Sequence, residues 1–399
     1  MMFDPPPIRA LVVDDDPLIL RLISFFLKSK GYAVFEASDG HDALRLLEAE
    51  DINLVITDWV MPGMDGLALC QAVRSKPRDA YVYLMMLTSR GNAGSLVEAM
   101  EAGVDDFLVK PFSPPELGAR LHAALRVLAL EAGLESRNRK LAEAYNQLSR
   151  ELDIARKMLL GLLPDPSSIG PVSFNWFFKA SSYVGGDSFD YFPIDGRYTC
   201  FYVVDVAGHG VSAAMLAFNT RNQIRSAVGQ IAALLTQPGS DIGAVAAASV
   251  TEFNRRFMQM NETSLYFTII FGILDAESGR VALVQAGHPA PLYFHPGRRS
   301  MEPIGEGGLP IGFLDEVEYE ANVLQLEPGS RLYLYSDGVT ECANGAGELF
   351  GRERMEEVLR ECGAAPLDHA AQSLERALQQ WRGSAEAYDD DVTFLALAY

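Results

Sequence analysis

The first third of the chain alternates short apolar runs with stretches of helical periodicity. Runs of strand length lie at Ala10–Val13, Leu54–Thr57, Tyr81–Leu87 and Phe107–Val109. The first run is followed, after three aspartates, by apolar residues at helical spacing. Strands that alternate with helices predict a parallel sheet with helices on both faces. We therefore expect an α/β doubly wound domain over residues 8–125.

A long segment without strand patterns follows, from Pro115 to Pro164, with Gly133 as the candidate break in its helix. Apolar residues recur at alternating spacings of three and four, at Leu134, Leu141, Tyr145, Leu148, Leu152, Ala155, Leu159 and Leu162. This heptad pattern predicts a helical coiled-coil linker over residues 126–164. Because Asn138 occupies a seam position, a parallel homodimer is expected. The same stripe also fits an amphipathic helix that folds back on its own C-terminal domain.

The last part of the chain places single aspartates at the ends of apolar runs. They are Asp187 in VGGDSFDY, Asp205 in FYVVDVAGHG, Asp337 in RLYLYSDGVTE and Asp390 in YDDDVTFLAL. A carboxylate where a buried strand meets a loop is costly without a cation or a hydrogen-bonding partner. Carboxylates without a cysteine or histidine cluster favour Mg²⁺ or Mn²⁺ over Zn²⁺. Each aspartate alone is typical of a turn, but the four together indicate attack by a metal-activated water.

In the N-terminal domain, polar side chains follow the carboxyl ends of the predicted strands. In chain order they are Asp14, Asp15 and Asp16, then Asp58, then Thr88, then Lys110. Ligands of an open parallel sheet bind outside these ends, so we expect one pocket. There, carboxylates can hold a divalent cation, and a hydroxyl and an ammonium can contact a phosphoryl group. Asp58 is the candidate nucleophile for an aspartyl phosphate.

Composition and charge exclude several classes of protein. A net charge of −20 over 399 residues argues against a nucleic-acid partner, because binding to phosphates needs a basic face. No apolar run approaches the length of a membrane span, and the first residues lack the regions of a secretory signal. We therefore expect a cytoplasmic protein without a membrane partner. The four cysteines have no metal-ligand or redox spacing and are expected to be reduced.

The stretch from residue 8 to residue 125 resembles the receiver domains of response regulators, which implies a parallel five-stranded sheet. By this resemblance Asp58 is the phosphoacceptor, and a histidine kinase or a phosphotransfer protein is the phosphodonor. The resemblance further implies a Mg²⁺ ion held by Asp14, Asp15, Asp58 and the carbonyl of Val60, with Asp15 as the direct ligand of the acidic pair. Thr88 and Lys110 would bind the phosphoryl group. Phe107 stands at the position of the switch aromatic, often a tyrosine, and has no hydroxyl to pair.

The four aspartate motifs resemble, in order and wording, the PPM-type protein phosphatases of the SpoIIE-type branch. The resemblance covers residues 172–399 and includes Gly287–Pro289 and Gly308–Gly312. It implies an α+β domain, a β-sandwich flanked by helices. It also implies two Mn²⁺ or Mg²⁺ ions held by Asp187, Asp205, Asp337, Asp390 and the carbonyl of Val206, with Asp205 bridging both.

Four further residues lie in or near these motifs. Asp391 stands beside Asp390, so the choice of the last ligand is open between them. His209 and His288 are flanked by glycine, which favours a turn-shaping role over an acid or a metal ligand. Gln285 stands where the family usually has asparagine, a change that affects loop geometry without touching a ligand.

Together the two resemblances imply a two-component response regulator whose output is a metal-dependent serine/threonine phosphatase. Its implied substrate is a phosphorylated anti-sigma-factor antagonist of the STAS type. The alternative is an RssB-like adaptor, which uses the same domain order to bind a sigma factor without catalysis. A degenerate adaptor is expected to lose ligand carboxylates, whereas all four are present here. The hypothesis of an enzyme is therefore favoured.

Overall fold

The computed structural model describes residues 8–76, 80–89, 93–181, 183–260, 265–363, 365–383 and 388–399. The chain divides into two compact units, Met1–Gln147 and Leu148–Tyr399, and each is described by itself. None of the helices in the described ranges combines the length and the apolar character needed to cross a bilayer.

The first unit is a five-stranded parallel sheet with helices on both faces, as predicted. The strand order is β2-β1-β3-β4-β5, and every neighbouring pair is parallel. Its elements are β1 Arg9–Val13, α1 Pro17–Ser29, β2 Ala33–Ala37, α2 Gly40–Ala49, β3 Leu54–Asp58, α3 Gly66–Ser75, β4 Tyr83–Thr88, α4 Ala93–Glu101 and β5 Asp106–Val109. Alternate residues of β1 face opposite sides, so Leu11 and Val13 join one buried cluster and Ala10 and Val12 the other.

A single helix, α5, runs from Pro114 to Leu160. Its first turns bury Leu117, Leu121, Ala124 and Leu128 against the parallel sheet. The helix continues through Gly133, the candidate break, because one glycine costs only about 1 kcal/mol in a long helix.

The second unit contains two β-sheets and five helices among the residues that the structure describes. Its elements are β6 Ser167–Ile169, β7 Val172–Lys179, β8 Ser188–Pro193, β9 Tyr198–Val206, α6 Val211–Leu235, α7 Ile242–Met260, β10 Phe267–Asp275, β11 Arg280–Ala286, β12 Leu292–His295, β13 Ser300–Pro303, β14 Ala321–Gln325, β15 Arg331–Tyr335, α8 Asp337–Thr340, α9 Gly351–Cys362, α10 Leu367–Arg382 and β16 Val392–Ala398. The sheet orders are β14-β11-β10-β9-β8 and β13-β12-β15-β16-β7-β6.

The two sheets pack face to face between two pairs of helices. In β9, Tyr202 and Val204 pack toward α6 and α7, whereas Phe201 and Val203 pack against the other sheet. The outer face of the second sheet, with Phe394 in β16, packs on α9 and α10. Because side chains alternate along a strand, each sheet buries both of its faces. The result is the predicted β-sandwich flanked by helices.

The four cysteines are free and buried: Cys70, Cys200, Cys342 and Cys362. Burial raises the pKa of Cys70 to about 12, which keeps this sulfur in its unreactive thiol form. These positions agree with the expectation of reduced, structural thiols.

Candidate phosphoacceptor and metal sites

The candidate phosphoacceptor pocket lies at the carboxyl edge of the parallel sheet. Asp14, Asp15 and Asp58 each offer one carboxylate oxygen, and the three oxygens lie within 4.8 Å of one another. The Lys110 Nζ lies 2.8 Å from Asp14 Oδ2 and 2.9 Å from Asp58 Oδ1. The carboxyl ends of β1, β3 and β5 thus bring four of the predicted residues together. A carboxylate trio of this kind fits a hard divalent cation such as Mg²⁺.

The pKa values of Lys110 and Asp14 are each shifted by burial and by the hydrogen bond between the two side chains. Burial raises the pKa of Asp14, although the hydrogen bond from Lys110 opposes the change. Partial burial alone would lower the pKa of Lys110, but its hydrogen bonds to Asp14 and Asp58 raise it overall. Lys110 therefore stays charged at neutral pH and can compensate a phosphoryl group on Asp58.

The other residues predicted for this pocket lie on, or directly after, the strands β3, β4 and β5. Asp58 pairs with Leu87 across the sheet, so the buried Thr88 is one residue closer to the carboxyl edge. Val60 is exposed in the loop that follows β3. Phe107 is half-buried in β5, and the guanidinium of Arg120 lies 5.7 Å from the centre of its ring.

In the second unit, the four predicted aspartates come from both sheets of the sandwich. Asp187 directly precedes β8 and Asp205 is the next-to-last residue of β9, both in the first sheet. Asp337 follows β15 as the first residue of α8, and Asp390 lies just before β16, both at the second sheet. Asp205 is within hydrogen-bonding range of Asp187 and of Asp337. Asp205 is thus the centre of a group of carboxylates.

Burial and mutual repulsion raise the pKa values of these carboxyls. Burial raises the pKa of Asp205 to about 7, and the charges of Asp337 and Asp390 add to the effect. The pKa of the buried Asp187 is raised by burial and then by Asp205 and Asp391. Cations placed among these oxygens would remove both costs. The donor set, all hard oxygens, fits Mg²⁺ or Mn²⁺.

The spacing of these carboxylates differs from that of the N-terminal trio. Among the described residues, only Asp14, Asp15 and Asp58 form a set of three whose ligand atoms all lie within 4.8 Å. In the second unit, Asp205 forms close pairs with Asp187 and with Asp337, and Asp390 acts on Asp205 through its charge. Asp205 is therefore the residue that two ions at this site could share.

Two glycines allow the loop before Asp187 to approach the site closely. A Cβ on Gly185 would lie 2.5 Å from Asp391 Oδ2, which no real contact allows. A Cβ on Gly186 would lie 3.1 Å from the carbonyl oxygen of Val206. The Gly-Gly pair therefore lets Asp187 lie beside both the β9 end and the β16 start.

The neighbours Asp390 and Asp391 have different surroundings. Asp391 is buried, and its Oδ1 accepts hydrogen bonds from the Ser181 backbone N–H and hydroxyl at 2.7 and 3.0 Å. Its Oδ2 accepts from the N–H groups of Gly186 and Asp187 at 2.5 and 3.3 Å. Asp390 is exposed as a whole residue, and partial desolvation of its carboxyl together with the charge of Asp337 raises its pKa. Asp391 thus anchors the glycine loop, whereas Asp390 faces the other aspartates.

His288 is buried beneath the site and does not act as an acid in this geometry. Its Nδ1 lies 2.7 Å from the Thr268 hydroxyl, and Thr268 pairs with Asp205 across the strands. Burial lowers the pKa of His288 to about 3, so the ring is neutral at physiological pH. His288 therefore contacts β10, the strand that pairs with the strand carrying Asp205.

Comparison with known proteins places both halves of the chain in families. The sequence model of the family described as Stage II sporulation protein E (SpoIIE) matches residues 195–399, just over half of the chain. The chain belongs to the SpoIIE family. The model of the response regulator receiver domain matches residues 10–122. This SpoIIE family member therefore joins a receiver domain to its SpoIIE-type domain.

Individual relatives cover smaller parts of the chain. The probable transcriptional regulator ycf27 of Guillardia theta is 42% identical over 118 residues, which are 30% of this chain and 45% of that protein. The aerobic respiration control protein ArcA of Escherichia coli (strain K12) is 37% identical over 153 residues, 38% of this chain and 63% of that protein. The chain thus spans about half the length of such curated relatives.

A solved structure shares the fold of much of this SpoIIE family member. The SiaA-PP2C domain of Pseudomonas aeruginosa superposes with a TM-score of 0.54 and 24% identity. The match covers 65% of this chain and 99% of that one. At this identity, the likeness establishes the fold.

Sequence reasoning missed two supporting contacts in the SpoIIE-type domain. The Thr393 hydroxyl donates to Asp187 Oδ2 at 2.6 Å, and the DDVT string was the available signal. Asp190 is fully buried and accepts from Arg225 Nε and Nη2 at 2.8 and 2.9 Å, with Arg221 3.2 Å away. Asp190 had a sequence signal only in the second aspartate of GGDSFD. This ion pair fixes α6 to β8, the strand that follows Asp187.

Proposed function

We propose that the chain is a two-component response regulator in which phosphorylation of Asp58 controls a metal-dependent protein serine/threonine phosphatase. The observation that carries the proposal is the meeting of four aspartates from two sheets around Asp205, with raised pKa values. Folding brings these like charges together at a cost that cations offset. A carboxylate cluster of this kind is typical of a metal-dependent hydrolytic site.

The proposed ligands of the two ions are those implied by the resemblance to the PPM-type phosphatases. Asp187, Asp205 and the carbonyl of Val206 would hold one Mn²⁺ or Mg²⁺, and Asp205, Asp337 and Asp390 the other. Bound ions of this kind lower the pKa of water and neutralise charge on a phosphoryl group. Asp391 and Thr393 contribute by orienting Asp187 and the loop before it. These supporting hydrogen bonds hold the Asp187 carboxylate in one orientation.

The proposed partners follow the resemblance to receiver domains and to SpoIIE-type phosphatases. A histidine kinase or a phosphotransfer protein would phosphorylate Asp58, with Mg²⁺ held by Asp14, Asp15, Asp58 and the carbonyl of Val60. Thr88 and Lys110 would then contact the phosphoryl group, and Phe107 would respond as the switch aromatic. The substrate would be a phosphoprotein, and we propose a phosphorylated anti-sigma-factor antagonist of the STAS type.

Hydrolysis of p-nitrophenyl phosphate tests the activity and its control. We expect Mn²⁺-dependent turnover by the full chain, with a rate that changes when beryllofluoride occupies Asp58, because the beryllofluoride adduct mimics the phosphorylated receiver. The direction of the change gives the sign of the control. Asp58→Asn serves as the control, since it removes the acceptor for beryllofluoride without altering the metal ligands of the second unit.

Absence of turnover in both receiver states would contradict the proposal, provided that the protein is folded and a reference phosphatase works in the same assay. The RssB-like adaptor would then be favoured. Equal turnover with and without beryllofluoride would contradict only the proposed control by the receiver.

We further propose that the chain forms a parallel homodimer through α5. The seam residues Leu134, Leu141, Tyr145 and Leu148 are each more than half exposed in the single chain. Further along, Leu159 and Leu162 line a cavity with Ala214 and Ala217 of the same unit. The fold-back alternative thus describes the end of the segment, and the exposed part remains for a second copy.

Leu141→Glu should therefore convert a dimer into a monomer, because it places a charge in the middle of the seam. Light scattering should give about twice the 43.7 kDa chain mass for the wild type and the single mass for the variant. Asn146→Glu, on the outer face of the same helix, should leave the mass unchanged. A wild-type protein that is monomeric at the highest concentration measured would contradict the proposed dimer.

A further inference from the structure

An open cavity of about 470 Å³ has Asp337 among its lining residues. Its walls include Gln285, His288, Glu306 and Arg352. The ring of His288 is neutral, and Asp337 is a proposed metal ligand, so Glu306 and Arg352 are the remaining charged side chains of the wall. Among the lining residues that the structure describes, Arg352 is the one cation.

Gln285 fixes one wall of this cavity. Its Nε2 donates to the His288 carbonyl at 2.6 Å, and its Oε1 accepts from the Gly307 N–H at 2.8 Å. A Cβ on Gly305 would lie 2.5 Å from this Oε1, so the loop lies directly against the glutamine. The positive φ angles of Gly305 and Gly307, 91° and 104°, suit glycine. Glutamine is one methylene longer than the asparagine that the family usually has at this position. Its amide group hydrogen-bonds both to the His288 carbonyl and to the loop at Gly307.

Arg352 also lines the cavity, and the terminal part of its guanidinium is available. It lies in the first turn of α9, and its Nε donates to Glu356 Oε1 at 2.6 Å. Its Nη1 and Nη2 have no hydrogen-bond partner within the described ranges of the chain. The Glu356 contact holds the base of the guanidinium and leaves two terminal nitrogens that can bind an anionic oxygen group in fork geometry.

We propose that this cavity binds an anionic group of the phosphoprotein substrate, with Arg352 as the contact residue and the loop held by Gln285 as another part of its lining. The proposal rests on the proposed phosphatase function and deepens it. The group is either the phosphoryl being removed or a carboxylate beside the phosphorylated residue. Both groups offer two anionic oxygens that a guanidinium can bind through two parallel hydrogen bonds. Arg352 is thus a specificity-determining residue that is not a metal ligand.

The test compares Arg352→Gln with Arg360→Gln in the full chain with Mn²⁺. Arg360 is a matched control, because it lies on the same helix, is 3.6 Å from the same Glu356 and does not line the cavity. The substrates are p-nitrophenyl phosphate and two phosphoserine peptides, one with aspartates beside the phosphoserine and one with alanines. Inorganic phosphate is used as a competitive inhibitor, and the Mn²⁺ concentration for half-maximal rate is measured for each protein.

We expect Arg352→Gln to raise KM by about tenfold, the usual effect of losing one charge-assisted hydrogen bond, with an unchanged Mn²⁺ requirement. A higher KM for all substrates, with weaker inhibition by phosphate, identifies the phosphoryl as the bound group. A higher KM for the aspartate peptide alone identifies the neighbouring carboxylate.

Two results would overturn the assignment of Arg352. One is an Arg352→Gln protein that equals Arg360→Gln with every substrate. The other is a change in Mn²⁺ requirement as large as the change in KM, which would indicate an indirect effect through Asp337.

If the wild type hydrolyses none of the substrates, the proposed function fails. Calorimetric binding of inorganic phosphate and of the aspartate peptide to the Mn²⁺-containing wild type, Arg352→Gln and Arg360→Gln proteins then decides the role of Arg352 separately.

Discussion

Asp205→Asn should abolish Mn²⁺-dependent hydrolysis while the receiver still takes up phosphate at Asp58. Asp205 lies within hydrogen-bonding range of both Asp187 and Asp337, so its loss removes a ligand from both proposed ions. The rate with p-nitrophenyl phosphate should fall by several orders of magnitude. Receiver phosphorylation by a small phosphodonor, followed by mass spectrometry, measures the intact half of the chain. Turnover retained by this variant would overturn the two-metal assignment.

A folding defect can be separated from this loss of activity. Asp315→Asn is a control in the same unit, because Asp315 is an exposed aspartate.

Asp205 has its pKa raised from 3.8 to about 7 by burial and neighbouring carboxylates. In metal-free protein, the protonated carboxyl favours the folded state, so this contribution is complete at low pH and is lost as the pH rises through about 7. Metal-free Asp205→Asn should therefore be at least as stable as the wild type at pH 8, by thermal denaturation.

Asp391→Ala should lower the stability of the domain, whereas the neighbouring substitution Asp390→Ala should weaken its use of Mn²⁺. Asp391→Ala leaves the N–H groups of Ser181, Gly186 and Asp187 without their acceptor in a buried loop. Charge-assisted hydrogen bonds contribute about 1.5–3 kcal/mol each, so the loss should be about 3 kcal/mol or more. For a domain of this size the denaturation midpoint should fall by roughly 6 to 12 °C.

Asp390→Ala should keep the stability of the metal-free protein, because Asp390 is exposed and its removal relieves repulsion with Asp337. It should instead raise the Mn²⁺ concentration needed for hydrolysis, or abolish hydrolysis. Each variant is the control for the other, since both remove one carboxylate by the same substitution. A stable Asp391→Ala protein with weakened metal dependence, beside an unstable Asp390→Ala protein, would reverse the proposed roles.

The fold class followed from local patterns in the sequence. Apolar runs of strand length that alternate with helical spacing predicted the parallel sheet, and four of its five strands lie at these runs. The fifth strand, β2, was implied only by the resemblance to receiver domains. Side chains alternate along a strand and repeat every 3.6 residues along a helix, so burial imposes a period that can be read from the sequence. The carboxylates at strand ends were predictable for the same reason, because a buried strand that ends in aspartate delivers its charge to the edge of the sheet.

Tertiary structure decided which neighbouring residues share a contact. The sequence left Asp390 and Asp391 open, and the distinction depends on N–H groups more than two hundred residues away in the chain. The position of Arg352 beside Asp337 likewise follows from the path of the chain between α8 and α9. The low pKa of His288 depends on burial by surrounding strands. Periodicity encodes which face of an element is buried, whereas hydrogen bonds and charges across a site depend on distances that only the folded chain determines.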